Sequence, residues 1–269
     1  VLVVLGFFTC GFQLAFIGVH LPSYLRDKGY QADNPWEHLA NSGQAADGTL
    51  QNGWLYSHAD KPARVAEEDS ETPYMTRRAM DFMREAKSKG QSWCLHLSYI
   101  KPHWPYIVPA PYHDMYGPEH VLPANRAEAE RQTPHPILKA FQDERYSTVF
   151  NREGARETVI PAYMGLIKQI DDQLGLLFRF MEEEGLTEET MVVFTSDHGD
   201  YLGDHWLGEK YLFHTPSVQV AGALLVLVAD CLCRILPLAG GELRLGIALS
   251  LLGAPFFLNL LLRLRRELV

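Results

Sequence analysis

The chain has 269 residues, enough for one large domain or two small ones with a substantial core. Its formal net charge is −9 and no basic stripe runs through it, which argues against nucleic acid as the main partner. Cysteines stand at 10, 94, 231 and 233 without a Cys-x-x-Cys pair, so neither a disulfide framework nor a zinc site is expected. The mean hydropathy of −0.12 averages over oily ends and a polar middle. The chain opens on Val1, which suggests a truncated start.

Residues 1–19 form an apolar run whose only strongly polar side chain is Gln13. At about 1.5 Å per residue such a run matches a hydrocarbon core of roughly 30 Å, and it predicts a transmembrane helix. It lacks the basic start and small-residue cleavage site of a signal peptide; a buried core helix is the alternative. Arg26 and Lys28 behind it place the following residues on the cytoplasmic side.

Residues 30–75 are rich in Asn, Asp, Gly, His and Pro and read as an irregular, surface-wrapping segment. Met75, Ala79, Phe82, Met83 and Ala86 then share one face of a helix over Met75–Lys89, stopped by Gly90. Trp93–Tyr99 is a buried-strand candidate. Directly after it comes Lys101–Pro102–His103–Trp104–Pro105–Tyr106, whose prolines pin Lys101 and His103 in a rigid loop at a strand end. A cation and an imidazole held there are suited to bind an anion and protonate a leaving group. The plain alternative is a Pro-rich turn with a packed Trp and a surface His. His113, His120 and His135 have no ligand spacing and read as surface residues.

Residues 117–157 predict a loop and short helices over the sheet. A long helix follows over Ile160–Glu184, with Ile160, Met164, Ile167, Ile170, Leu174, Leu177, Phe178 and Met181 on its apolar face. Asp171 and Asp172 read as part of its solvated face. Strand 191–196 completes a β–α–β alternation, which predicts a parallel α/β sheet. Beyond that strand, Asp197, His198, Asp200, Asp204 and His205 crowd around Gly199 and Gly203. Ligand crevices in open α/β sheets lie past the carboxyl ends of strands. Asp197 and His198 are a reasonable pair of metal ligands there, and Lys210 adds a cation for an anionic group. The plain alternative is a solvated acidic loop. Two further apolar runs, 221–241 and 245–262, predict membrane helices, the second ending in Arg263, Arg265 and Arg266. Asp230 and Arg234 are spaced to neutralise each other in the first.

The strings TSDHGD (195–200), GDH (203–205) and GEKYLFH (208–214), with KPHWPYIVPAPYHDMYGP (101–118), resemble the sulfatase and phosphonate monoester hydrolase family of the alkaline phosphatase superfamily. The resemblance covers residues 30–219 and implies a partial alkaline-phosphatase-like α/β sandwich with a mostly parallel sheet, lacking its N-terminal half. It implies metal-dependent hydrolysis of small sulfuric, phosphonic or phosphoric monoesters. Asp197 and His198 would ligate a divalent ion (Ca, Mg or Mn), Lys210 would bind the transferred group, His103 would contact the leaving oxygen, and Lys101 would assist with the anion. It also implies a formylglycine made from a Cys/Ser-x-Pro-x-Arg motif and two further metal aspartates. None is found; the nearest string, Asp60–Lys61–Pro62–Ala63–Arg64, has Asp at the nucleophile position.

The flanks look different. Residues 1–29 resemble a major facilitator transporter helix, and 221–269 resemble the end of an iron–siderophore permease subunit. The chain therefore reads as three pieces, 1–29, 30–219 and 220–269, joined near Gly29/Tyr30 and Gln219/Ala221 in a chimeric frame. With genuine terminal helices the hydrolase segment would be membrane-tethered on the cytoplasmic side; without them it would be cytoplasmic. The rival classes are a membrane transport fragment and a tethered, noncatalytic anion-binding domain.

Overall fold

The computed structural model describes residues 2–6, 12–16, 21–196 and 198–210, the first two stretches by their backbone. The chain divides into two units, Val1–Phe194 with Asp200–Leu212, and Thr195–Gly199 with Phe213–Val269. The predicted spans 221–241 and 245–262 lie outside the described residues.

The apolar N-terminus is sheet, not a membrane helix. Strands β1 (Leu2–Gly6) and β2 (Phe12–Phe16) both join a four-stranded sheet with β5 (Ser92–Leu97) and β6 (Thr190–Phe194), in the order β2-β5-β1-β6. The local chemistry explains the correction. Gly6 and Gly11 each weaken a helix by about 1 kcal/mol relative to Ala, and the aliphatic and aromatic residues around them suit a pleated surface. Among the described residues no helix is long and apolar enough to cross a membrane.

The sheet also departs from a mostly parallel ladder. β2 runs parallel to β5, but β1 lies between β5 and β6 and is antiparallel to both, pairing Leu2 with Leu97 and with Phe194. Strands β5 and β6 therefore point the same way, as the β–α–β pattern requires, without being neighbours.

Helix α1 (Leu21–Asp27) leads to a small hairpin, β3 (Ser42–Gln44) with β4 (Leu50–Asn52). Helix α2 (Glu71–Ser88) begins four residues before the apolar periodicity does. It lays Met75, Ala79, Met83 and Ala86 against Trp93, Leu95 and Leu97 of β5, all nearly inaccessible. Each buried Leu or Met is worth roughly 1.5–3 kcal/mol over exposure, so this seam anchors the unit. Three short helices follow, α3 (Ala129–Gln132), α4 (Pro136–Gln142) and α5 (Arg145–Thr148).

The long helix α6 (Ala155–Glu183) joins two cores. Its C-terminal half gives Leu177, Phe180 and Met181 to the α2–β5 core. Its N-terminal half gives Val159, Ala162 and Leu166 to a second, aromatic core with Tyr56, Tyr106, Tyr112 and Phe150. Asp171 and Asp172 do face outward: Lys168 pairs with both, and Asp172 also accepts from the Tyr112 hydroxyl at 2.9 Å.

The turn before Lys210 is held by a dense set of hydrogen bonds. Leu202, His205 and Trp206 have φ of 48°, 52° and 64°, the left-handed region that costs side-chain-bearing residues about 1–3 kcal/mol each. The Arg156 guanidinium donates to Leu202 O (2.7 Å), Asp204 Oδ1 (3.0 Å) and Leu122 O (3.0 Å). Asp204 Oδ1 also accepts from Asn125 N at 2.9 Å, and Asn125 O accepts from His205 N. Arg126 lies 4.2 Å over the Trp206 ring, whose indole N–H donates to Ala127 O. At Gly208 a Cβ would come within 2.2 Å of Tyr146 O, so only glycine lets the chain pass there toward Lys210.

Two outcomes are expected. Arg156→Ala should lower stability by roughly 2–4 kcal/mol, because it strands several acceptors and one carboxylate, and Arg156→Lys should not restore it, lacking the planar fork; urea midpoints report both. Asp69 accepts from Tyr24 (2.5 Å) and Tyr30 (3.2 Å) and pairs with Lys28 (3.3 Å), and the Tyr24 hydrogen bond foremost holds its pKa below the usual carboxylate value. Its contribution is present above the unfolded pKa of about 3.9 and lost as pH falls through the lower folded value. Asp69→Asn should therefore narrow the gap between urea midpoints measured at neutral pH and near pH 3.

Candidate functional site

The site grows from two loops of the first unit. The first leaves β5 and carries Lys101–Pro109; the second carries the strained turn and ends at Lys210. Their meeting point is a single contact: Lys210 Nζ lies 3.2 Å from His103 Nε2. His103 Nδ1 is 2.6 Å from its neighbour's carbonyl, Trp104 O. A carbonyl only accepts and an ammonium only donates, so the proton sits on Nδ1 and the Nε2 lone pair accepts from Lys210. The imidazole is thus neutral in this arrangement, with a cation beside the nitrogen that faces outward.

The ring is braced as well as hydrogen-bonded. His103 lies 5.1 Å from the Trp104 ring, which packs edge-on to Trp54 and tilts over Tyr146 at 4.5 Å. Burial and the charge of Asp200 raise two phenols, Tyr163 to about 12 and Tyr106 well above its ordinary value, so both stay protonated at neutral pH.

Lys101, the second cation of the sequence motif, is placed differently. Its ammonium donates back to Pro105 O at 2.9 Å, within its own loop. Burial pushes its pKa down, while the charge of Glu71 opposes the shift. Glu71 is the reciprocal case: burial pushes its carboxyl up, against the charge of Lys101 and a hydrogen bond from Ile100 N at 3.2 Å. Of the predicted residues in this unit, His103 and Lys210 are brought together, and Lys101 braces the loop that bears His103.

His198 belongs to the second unit. Its Nδ1 lies 2.9 Å from Gly199 O, a backbone contact of the kind that orients an imidazole. Asp197 lies outside the described residues. Of the other crowded polar residues, Asp204 is held by Arg156, and His205 Nδ1 sits 3.3 Å from Glu130. Both serve the turn. Among the described residues no three His, Cys, Asp or Glu side chains converge as a metal would require. Asp197 and His198 would supply two protein donors, against six to eight ligands for Ca²⁺ and six for Mg²⁺. Two donors are part of such a site, and the remaining coordination positions would be filled from elsewhere.

Two functional contributors were not visible in the sequence. Arg156 sits in a charged stretch with no distinguishing neighbours, and Glu71 precedes the periodic part of its helix. Only the fold brings either to the loops they hold.

The family model described as Sulfatase matches residues 15–227, and one described as FecCD transport family matches 202–263, overlapping it. The multifunctional alkaline phosphatase superfamily protein PehA of Trinickia caryophylli is 36% identical over 173 residues, 60% of this chain and 33% of its own length. The choline-sulfatase of Rhizobium meliloti (strain 1021) is 30% identical over 48% of this chain and 25% of its own. The phosphonate monoester hydrolase SpPMH from Silicibacter pomeroyi superposes with a TM-score of 0.64 at 28% identity, over 75% of this chain and 40% of that one. The chain spans about a third or less of the length of these curated relatives. The two loops that meet at His103 and Lys210 lie within the matched span, and the chain belongs to the sulfatase family of the alkaline phosphatase superfamily.

Proposed function

We propose that this chain binds small sulfuric or phosphonic monoesters through Lys210 and His103 and does not turn them over by itself. The contact that carries the reading is Lys210 Nζ to His103 Nε2 at 3.2 Å. An ammonium is suited to a tetrahedral oxyanion, and the imidazole whose Nε2 accepts from it keeps that cation directed. The family relationship supports this substrate class. Lys101 acts one step back, holding the Pro105 carbonyl so that the loop presents His103. Asp197 and His198 contribute two metal donors to whatever completes the coordination shell.

No Cys/Ser-x-Pro-x-Arg string occurs within these 269 residues, which supports the reading that they do not turn substrate over alone; the nearest string, Asp60–Lys61–Pro62–Ala63–Arg64, falls in the middle region of the family's pattern and opens on Asp60. Its carboxylate is exposed and paired with Lys61 at 2.5 Å. The residues that bind charge are present; the group that would attack sulfur or phosphorus is not in the Asp60–Arg64 string.

Calorimetric titration with inorganic sulfate at low ionic strength should show binding that Lys210→Ala weakens by roughly 10- to 100-fold, the range for one charge-assisted hydrogen bond. The same protein, supplied with Mn²⁺, Mg²⁺ or Ca²⁺, should release no 4-nitrophenol from 4-nitrophenyl sulfate or from its phenylphosphonate ester. Metal-dependent release that disappears in His198→Ala would sink the noncatalytic half of the reading. Sulfate binding unchanged in Lys210→Ala would sink the other half.

A further inference from the structure

Behind the loop that bears His103 lies a cavity of about 220 Å³ in the first unit. Its lining is mixed: charges of both signs share it with apolar side chains. Lys101 comes from the loop, and Ser70, Glu71 and Thr72 come from the start of α2. Leu21, Leu25, Leu39, Val65, Ile107 and Leu166 form an aliphatic wall. His103 lines the cavity as well, but Lys210 does not.

Two of these charges are only partly matched by the protein. An ammonium has three N–H donors. Among the described residues that of Lys101 makes one hydrogen bond, to Pro105 O at 2.9 Å. The Glu71 carboxylate accepts one, from Ile100 N at 3.2 Å. The two attract each other through charge alone, and burial works against both, pushing the Lys101 pKa down and that of Glu71 up. By contrast Asp69 is taken by Tyr24, Tyr30 and Lys28, and Gln169 donates to Glu67 and Ser70. The first N–H groups of a helix have no partner within it, and Ser70 gives α2 no side-chain cap hydrogen bond. The positive end of this 18-residue helix therefore opens on the cavity that Lys101 also lines.

A guest that answers this lining needs a carboxylate for Lys101 and the α2 terminus, an ammonium for Glu71, and an aliphatic body for the wall. A carboxylate without an amine would meet Glu71 uncompensated, and an amine without a carboxylate would meet Lys101. A purely apolar guest would leave both protein charges without water or partner. Size narrows the class further. An apolar cavity of about 150 Å³ accommodates the six carbons of benzene, so this one takes about nine heavy atoms. We propose that the cavity binds an aliphatic α-amino acid of leucine size as a zwitterion, its charged ends at Lys101 and Glu71 and its side chain against the aliphatic wall. The site stands whether or not Lys210 holds an oxyanion.

The test uses the full chain, L-leucine and calorimetry. Binding is expected, and Lys101→Met and Glu71→Gln should each weaken it by roughly tenfold or more, as loss of a charge-assisted hydrogen bond does. Circular dichroism establishes that each variant is folded. Two half-ligands put the same question to the unmodified chain, which guards against a variant that fails to fold. One is 4-methylpentanoate, which lacks the amine, and the other is 3-methylbutylamine, which lacks the carboxylate. Each should bind more weakly than leucine by roughly tenfold or more, and so should glycine, which has no side chain for the wall. The proposal is overturned by absence of leucine binding at millimolar concentration or by binding unchanged in a folded variant. A half-ligand or glycine that binds as tightly as leucine overturns it too. Sulfate, titrated at an ionic strength held constant with sodium chloride, separates this site from the oxyanion reading. Leucine bound without sulfate keeps the cavity and removes the oxyanion site; sulfate bound without leucine does the reverse; both bound together supports both. Sulfate that displaces leucine puts the anion on Lys101 and overturns the proposal.

Discussion

The Arg156 guanidinium sustains the site, because it holds a backbone conformation that the turn would not keep unaided. Three side-chain-bearing residues with positive φ within five positions cost several kcal/mol together. One planar cation reaching Leu202 O, Asp204 and Leu122 O offsets much of that, since hydrogen bonds from a charged donor are about twice as strong as neutral ones. The same group ties the turn to the 122–127 segment and to α6. Lys210 lies six residues beyond Asp204, past a glycine that nothing larger can replace. Its position against His103 is therefore set by packing and hydrogen bonds remote from the ammonium itself.

The two cores divide the labour in a related way. The α2–β5 core mixes Leu, Met and Ala with Trp93, Tyr74, Tyr99 and Phe180, at helical and strand spacing. The second is built of tyrosines, with Tyr56 stacked on Tyr106 at 5.3 Å and Tyr163 edge-on to it. Tyrosines bring hydroxyls near the surface loops, and Tyr56 accordingly donates to Gly208 O at 3.2 Å, beside Lys210. Helix α6 runs through both cores, so the stability of the first is transmitted to the loops seated on the second.

Legibility in the sequence followed the length and strength of each pattern. Helices α2 and α6 and strands β5 and β6 were readable because their apolar spacing persists over several turns or pleats. The N-terminus was not, because a continuous apolar run has no period, and helix and buried strand look alike within it. Here β1 and β2 take the sheet, and β1 enters antiparallel between the two strands that the alternation pairs. His103 and Lys210 were legible from their loops' composition, but their contact spans 107 residues and no local pattern encodes it. Lys101 shows the converse limit. Its place in the motif suggested an anion ligand; its burial and its bond to the Pro105 carbonyl had no signal in the local pattern.

Binding an oxyanion and transferring it make different demands, and these residues meet the first better than the second. Binding needs a cation with a fixed direction and an imidazole in a known tautomer; Lys210 and His103 provide both. Transfer needs a nucleophile aligned behind the sulfur or phosphorus and a charge sink opposite the leaving oxygen. Asp197 and His198 would be two of the donors that such a charge sink needs. Differential stabilisation of the transition state requires interactions that strengthen as charge moves. On the proposed reading, a lone cation beside a neutral imidazole would hold the ground-state anion nearly as well as the transition state, which would give affinity without rate.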